Sequence, residues 1–283
     1  MDSKSSGPNE FYRDNICLDD IPLEGQKLLR DYAGLRQEEL LPHVIAIRDK
    51  GFKIAPYACI GHARFLTDRW AVLPYSKDFL SKLREGAALL DVGCGLGQEL
   101  RYLIVNHAIS PSQLYGFDLE PGLINLGYEL FRDRDRAGAM TLFAADLIGD
   151  ANPELDGIKG RMDLIQVSQV LHIYDYDDMF EAAKRLIALV KPQSGSMIAG
   201  NQVGSLNAGS YELKSEFAPT GFHYRHNIKS MEDFWNKLGQ ATDSEWKVEC
   251  GPIQSNAVEE ARSTRFARGD TGMTMIWFCA TRL

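Results

Sequence analysis

The segment Leu89-Leu90-Asp91-Val92-Gly93-Cys94-Gly95-Leu96-Gly97-Gln98 constrains the fold more than any other stretch of the chain. A short apolar run ending in three alternating glycines reads as a buried strand that turns sharply into a helix. Glycine tolerates the left-handed backbone such a turn needs, and the helix N-terminus leaves N–H groups free for a ligand. In open α/β sheets this turn, at the carboxyl end of a parallel strand, is where ligands bind. Around it, strand-like runs at 88–92, 113–117, 141–144, 163–167 and 196–199 alternate with helical patterns such as 121–132 and 178–190. That alternation predicts right-handed crossovers and a mostly parallel sheet. Later, 247–249 and 273–281 are strand-like with no full helix between them, so the last strand is expected to return antiparallel.

The chain has 283 residues, ample for a buried core, and a formal net charge of −8 from 31 basic and 39 acidic side chains. That balance disfavours nucleic acid, whose binding rests on neutralising phosphates. With 45% hydrophobic and 25% charged residues it is an ordinary globular composition, which excludes disorder and coiled coils. The apolar run at 273–280 is far shorter than the roughly 20 residues of a membrane span. The first ten residues are polar and lack a signal core, so a cytoplasmic protein is expected. Five scattered cysteines with no C-x-x-C pair argue against a disulfide framework and against a metal site, and each is expected to be a small buried hydrophobe.

Before the glycine turn, Ile21-Pro22-Leu23 is expected to open a helix that closes near Gly34, and further helices are expected over 38–50 and 76–85. Phe11 and Tyr12 are expected to dock rather than hang loose. Between them, 56–65 has no clean period and is rich in aromatic, His and Arg side chains. After the turn, 205–240 interrupts the alternation with Tyr211, Phe217, Phe222 and Tyr224, then a helix over 230–238, and is expected to form a lid. The division expected is a helical cap over 1–85, carrying substrate contacts, and a catalytic domain over 86–283. The alternating charges of 132–136 read as a solvated helix end.

A dinucleotide fingerprint needs G-x-G-x-x-G, whereas here the third glycine comes one residue early, which disfavours an NAD-dependent dehydrogenase. The order strand, D-x-G-x-G-x-G, helix resembles the first motif of class I S-adenosylmethionine methyltransferases. Further strings agree in register: Tyr115-Gly116-Phe117-Asp118, Ala144-Ala145-Asp146-Leu147, Asp163-Leu164-Ile165 and Lys191-Pro192-Gln193-Ser194-Gly195. The resemblance implies a Rossmann-like α/β fold, with a mostly parallel seven-stranded sheet and an antiparallel last strand. It implies that Asp118 accepts from the ribose hydroxyls, that Asp146 binds the adenine amino group, and that Leu147 packs on the ring. Asp91, Gly93, Cys94, Gly95, Gly97, Gln98, Leu119 and Ser168 complete the expected cofactor set. Asp118 and Asp146 could instead merely cap helices, and Asp91 could simply orient the glycine loop.

Other strings are similar to a narrower group, the fungal methyltransferases of meroterpenoid biosynthesis that esterify a carboxyl group. They are Pro56-Tyr57-Ala58-Cys59-Ile60-Gly61 with Arg64-Phe65-Leu66, the stretch from Gly127 to Asp135, Gln202-Val203-Gly204, Tyr224-Arg225-His226-Asn227 and Phe234-Trp235. This resemblance implies a small terpenoid- or polyketide-derived carboxylic acid as substrate, and a homodimer. For an acidic, apolar substrate, Tyr57, His62, Arg64, Arg225 and His226 offer donors or charge, and Phe65, Phe222 and Tyr224 offer apolar faces. His172 follows the fourth strand, where the sheet edge meets substrate. The expected catalytic set is His172, Arg64, Tyr57 and His226. A carboxylate needs no general base, because its pKa near 4 leaves it ionised at neutral pH. A hydroxyl acceptor would need one, and His172 or His226 would serve. Two further alternatives are a methyltransferase fold that keeps the cofactor as an electrostatic element in a cyclisation, and a non-catalytic cofactor-binding partner.

Overall fold

The structure is a computed structural model that describes residues 11–136, 139–149, 152–212, 220–254 and 270–283. Its strands are β1 (Leu89–Val92), β2 (Leu114–Asp118), β3 (Thr141–Ala144), β4 (Leu164–Val167), β5 (Met197–Ser205), β6 (Gly209–Glu212), β7 (Phe222–Arg225), β8 (Trp246–Ile253) and β9 (Met273–Arg282). The α-helices are α1 (Leu23–Asp31), α2 (Gln37–Ile54), α3 (Ala58–Gly61), α4 (Ser76–Arg84), α5 (Gln98–His107), α6 (Pro121–Phe131), α7 (Pro153–Asp156), α8 (Tyr176–Leu189) and α9 (Ile228–Ala241). Seven strands form one sheet in the order β3-β2-β1-β4-β5-β9-β8, the number that the methyltransferase resemblance implies. β4 runs parallel to β1 and β5, while β9 is antiparallel to β5 and β8. β6 and β7 form a separate antiparallel ribbon inside the expected lid, whose residues 213–219, Phe217 among them, lie outside the described residues.

The backbone divides into two compact units. One comprises Met1–Val72, Cys94–Ser112 and Gly116–Ala144; the other comprises Leu73–Gly93, Gln113–Tyr115 and Ala145–Leu283.

In the first unit, α2 runs three residues past Gly51, where the sequence pattern ends it. Gly51 is there for close packing: a Cβ on it would lie 3.1 Å from Ile60 and 3.4 Å from Leu126. Tyr12 docks as expected, its hydroxyl donating to Asp49 at 2.7 Å and its ring 5.0 Å from that of Phe52. Arg132 closes α6 in the left-handed region, with φ +49°. The following residue corrects the solvated reading of 132–136, since Asp133 is completely buried against the guanidinium of Arg101. Alternating charge could not reveal this, because the chain turns inward just where the helix stops.

In the second unit, β5 is buried along all nine residues and extends to Ser205, well beyond the expected 196–199. It does so because β9 pairs with it as far as Ser205 and Met273, and β8 is lengthened by the same partner. Gln166 on β4 is fully buried yet satisfied, accepting from Tyr75 Oη at 3.0 Å and donating to Ser168 Oγ at 2.9 Å. Asp175 and Asn227 cap α8 and α9, accepting from the amides of Asp178 and Ser230. Trp235 of α9 is wholly buried, its ring centroid 5.7 Å from that of Phe278 on β9.

The cysteine expectation holds for Cys94 and Cys279 only. Cys17 and Cys59 are exposed and Cys250 is half-buried, since they fall on a surface turn, a surface helix and an edge strand. Among the described residues no helix is long and apolar enough to cross a membrane.

Candidate active site

The glycine turn has the backbone its sequence demands, with φ of +67°, +55° and +69° at Gly93, Gly95 and Gly97. In the first unit, Cys94 N donates to Phe117 O at 2.9 Å and Gly97 N to Cys94 O at 2.8 Å, which folds the chain back on itself. Gly95 N donates to Asp118 Oδ2 at 2.8 Å, and Glu120 N donates to Asp118 Oδ1 at 3.0 Å. Both carboxylate oxygens keep a further lone pair for a ligand hydroxyl. Burial pushes the Asp118 carboxyl above its ordinary range, and these two amides pull it back. A Cβ on Gly95 would meet nothing within 4 Å, so the turn presents bare backbone to open space. Gln98 and Cys94 are buried beside it, whereas Leu119 is 60% exposed, unusual for so apolar a side chain.

The other expected cofactor residues lie in the second unit. A Cβ on Gly93 would fall 2.4 Å from Val170, so only glycine fits there. Asp91 is buried at the end of β1. Asp146 is exposed, and its side chain accepts from Ile148 N at 3.0 Å in a turn that leaves Leu147 buried. Arg185 pins that turn by donating to the carbonyls of Leu147 and Gly149 at 2.9 and 2.7 Å. The Ser168 hydroxyl is buried under Gln166.

Of the expected catalytic residues, the second unit holds His172 and His226. Burial, and then the charge of Arg225, holds His172 down at about 3. His223 lies down at about 3 for the same reasons, with His172 adding to them. His226 sits at about 4, lowered by burial, with Nδ1 2.9 Å from Ser230 Oγ and the rings of Tyr224 and Phe234 at 4.7 and 4.9 Å. Arg225 is not a free cation for a substrate: it donates to Asp270 at 2.7 Å and stacks on Tyr211 at 4.6 Å. Tyr57 and Arg64 belong to the first unit. Tyr57 precedes α3, its carbonyl accepting from the amides of Ile60 and Gly61, and Arg64 Nη2 lies 2.9 Å from His62 Nδ1.

Sequence reasoning missed Glu99. It sits directly after Gln98, 3.6 Å from Arg69, and burial raises its carboxyl to about 7. An acid in the first turn of a helix is commonplace, so nothing in the sequence distinguished it.

Two family models match the chain: the meroterpenoid methyltransferase N-terminal domain over residues 11–66 and the methyltransferase domain over residues 90–195. An O-methyltransferase, phiE, from a fungal species is 35% identical, covering 93% of this chain and 83% of its own. The methyltransferase adrK of Penicillium roqueforti is 33% identical over 86% of this chain and 84% of its own. The chain belongs to the fungal meroterpenoid methyltransferases. The methyltransferase ausD of Penicillium brasilianum is similar at 31% identity, covering 78% of each chain. In structure, the CurJ carbon methyltransferase superposes with a TM-score of 0.51 at 15% identity, covering 91% of this chain and 69% of that one, which shows the Rossmann-like fold. This methyltransferase therefore uses S-adenosylmethionine. The bare backbone at Gly95, with the Asp118 carboxylate bonded to its amide, suits such a ligand.

Proposed function

We propose that this methyltransferase forms a methyl ester on the carboxyl group of a small terpenoid- or polyketide-derived acid. The observation that carries the reading is the state of its histidines. His172 and His223 at about 3, and His226 at about 4, are neutral at physiological pH and poor bases. Taking a proton from a phenol of pKa near 10 onto an imidazole of pKa near 3 is uphill by about 7 units, roughly 9–10 kcal/mol. A carboxylate is already ionised and needs no such transfer.

When bound, S-adenosylmethionine supplies a methyl group made electrophilic by a sulfonium sulfur. The glycine turn from Gly93 to Gly97 would hold its amino-acid end, with Asp91 and Gln98 beside it. Asp118 would accept from the ribose hydroxyls, and Leu119 would lose its exposure against the nucleoside. Asp146, Leu147 and Ser168 would line the adenine. Tyr57 and Arg64, and His226, are the proposed contacts of the acid, which would be enclosed from water. There a neutral imidazole or a single cation donates to the carboxylate oxygen that does not attack. Proximity in such an enclosure supplies roughly 7–11 kcal/mol of the barrier. The family likeness extends the reading to a homodimer.

The test is a matched pair of substrates, a prenylated aromatic acid and the phenol lacking its carboxyl group, incubated with S-adenosylmethionine. The acid is expected to gain one methylene and to lose it again on alkaline hydrolysis, as an ester does. Methylation of the phenol alone, into a base-stable ether, would overturn the ester reading.

A further inference from the structure

The first unit contains a fully buried ion pair that the methyl-transfer chemistry does not use. Arg101 and Asp133 have no solvent exposure at either side chain. Arg101 Nε and Nη2 donate to Asp133 Oδ2 and Oδ1 at 2.7 and 2.9 Å, a bidentate fork. The remaining terminal nitrogen, Nη1, turns to the glycine loop and donates to the carbonyls of Leu96 and Gly97 at 3.0 and 3.1 Å. The guanidinium also lies 4.5 Å from the Phe131 ring. Asp133 Oδ2 receives a second bond, 2.8 Å long, from the hydroxyl of Tyr32, just beyond α1. Burial and the adjacent carboxylate raise that phenol to about 12, which keeps it a donor.

A cation in the first turn of a helix opposes the helix dipole. Arg101 sits there on α5, so a structural role alone would be better filled by an apolar side chain. What the arginine alone supplies is a grip on two loop carbonyls. In a trans peptide the N–H points opposite to the preceding C=O, and the described chain has no cis peptides. Fixing the carbonyls of Leu96 and Gly97 therefore fixes the amides of Gly97 and Gln98 at the mouth of α5. A Cβ on Gly97 would come within 2.6 Å of Arg101 Nη1, and one on Gly127 within 2.2 Å of Leu96 O. The loop is held from two directions with no slack.

We infer that Arg101 is a positioning residue for the cofactor loop, and that Tyr32, through Asp133, couples the N-terminal helical segment to it. Removing the Tyr32 hydroxyl weakens cofactor affinity, although that hydroxyl bonds Asp133 rather than a cofactor residue. The inference rests on the cofactor reading of the glycine turn.

The experiment titrates S-adenosylhomocysteine by calorimetry into the full-length wild type, Asp118→Ala, Tyr32→Phe, Arg101→Lys and Leu103→Ala, well below every unfolding transition. Arg101→Lys keeps the charge but loses the fork, and is expected to raise Kd about ten- to a hundredfold. Tyr32→Phe removes one hydrogen bond to a charged group, and is expected to raise Kd about three- to tenfold. Leu103→Ala, a cavity in the buried face of α5, is expected to lower the melting temperature most and leave Kd within about twofold. In turnover, KM for S-adenosylmethionine is expected to rise while kcat at saturation holds. Wild-type affinity in Tyr32→Phe overturns the coupling, and that variant decides alone if Arg101→Lys does not fold. No binding by wild type, or no loss in Asp118→Ala, instead overturns the cofactor reading and the inference with it.

Discussion

Among the described residues, each compact unit of this methyltransferase has an arginine–aspartate pair with both side chains buried, and the two are built for different ends. Arg101–Asp133 in the first unit and Arg225–Asp270 in the second are equally dry, with side-chain exposures of 0%/0% and 0%/1%. Arg101 meets its aspartate with two nitrogens and two loop carbonyls with a third. Arg225 reaches Asp270 Oδ2 through Nη1, while Asp270 Oδ1 is taken by Ser205 Oγ and Gly272 N. The first pair shapes the turn after β1; the second ties the ends of β5, β7 and β9. Their neighbourhoods differ as well. Burial lowers the Arg225 pKa despite Asp270, and the same guanidinium helps hold His172 and His223 neutral. The comparison shows that burial alone does not tell what an ion pair is for; the atoms at its second contacts do.

The largest effect is expected on stability, and it should be alike for the two. Asp133→Ala and Asp270→Ala each strand a buried guanidinium, which costs about 3–5 kcal/mol. Chemical denaturation should show both losses, but only Asp133→Ala should also weaken S-adenosylhomocysteine in the fraction that stays folded. Equal loss of affinity in both would erase the distinction drawn between them.

A second effect separates the units by pH and grows as the pH falls. Three histidines of the second unit have pKa values of about 3, 3 and 4 when folded, against about 6.5 unfolded. Below pH 6.5 the unfolded chain binds protons that the folded chain refuses. Stability is therefore complete above 6.5 and falls toward pH 4, by up to about 1.4 kcal/mol per unit for each histidine. Hydrogen exchange at pH 5 should show β7 and the start of α9 losing protection before α5 and α6. His172→Gln should flatten the acid limb. Simultaneous loss throughout would mean that the histidines do not set it.

The smallest effect is a control on exposure. Lys229 and Asp233 pair at 2.7 Å on the surface of α9, with side chains 73% and 50% exposed. Lys229→Ala is expected to leave the melting temperature unchanged within error, because exposed pairs contribute little. A large shift would show that distance rather than burial governs these pairs.

Most of the fold was legible in the sequence, because strand–helix alternation and glycine spacing are local consequences of backbone sterics and hydrophobic period. The turn from Gly93 to Gly97, the acid at Asp118 and the parallel core from β1 to β4 follow from residues adjacent in the chain. Strand length did not, since β5 and β8 extend only because β9 lies beside them. Nor did the fate of charged groups. Asp133 reads as solvated from its neighbours and is buried by an arginine 32 residues away. Arg225, one of several donors the sequence offers an acidic substrate, is claimed by an aspartate 45 residues on. Glu99 reads as a helix-start acid and is raised to about 7 by burial. A side chain's charge state depends on what excludes water from it, and tertiary packing decides that, whereas period and turn chemistry are written residue by residue.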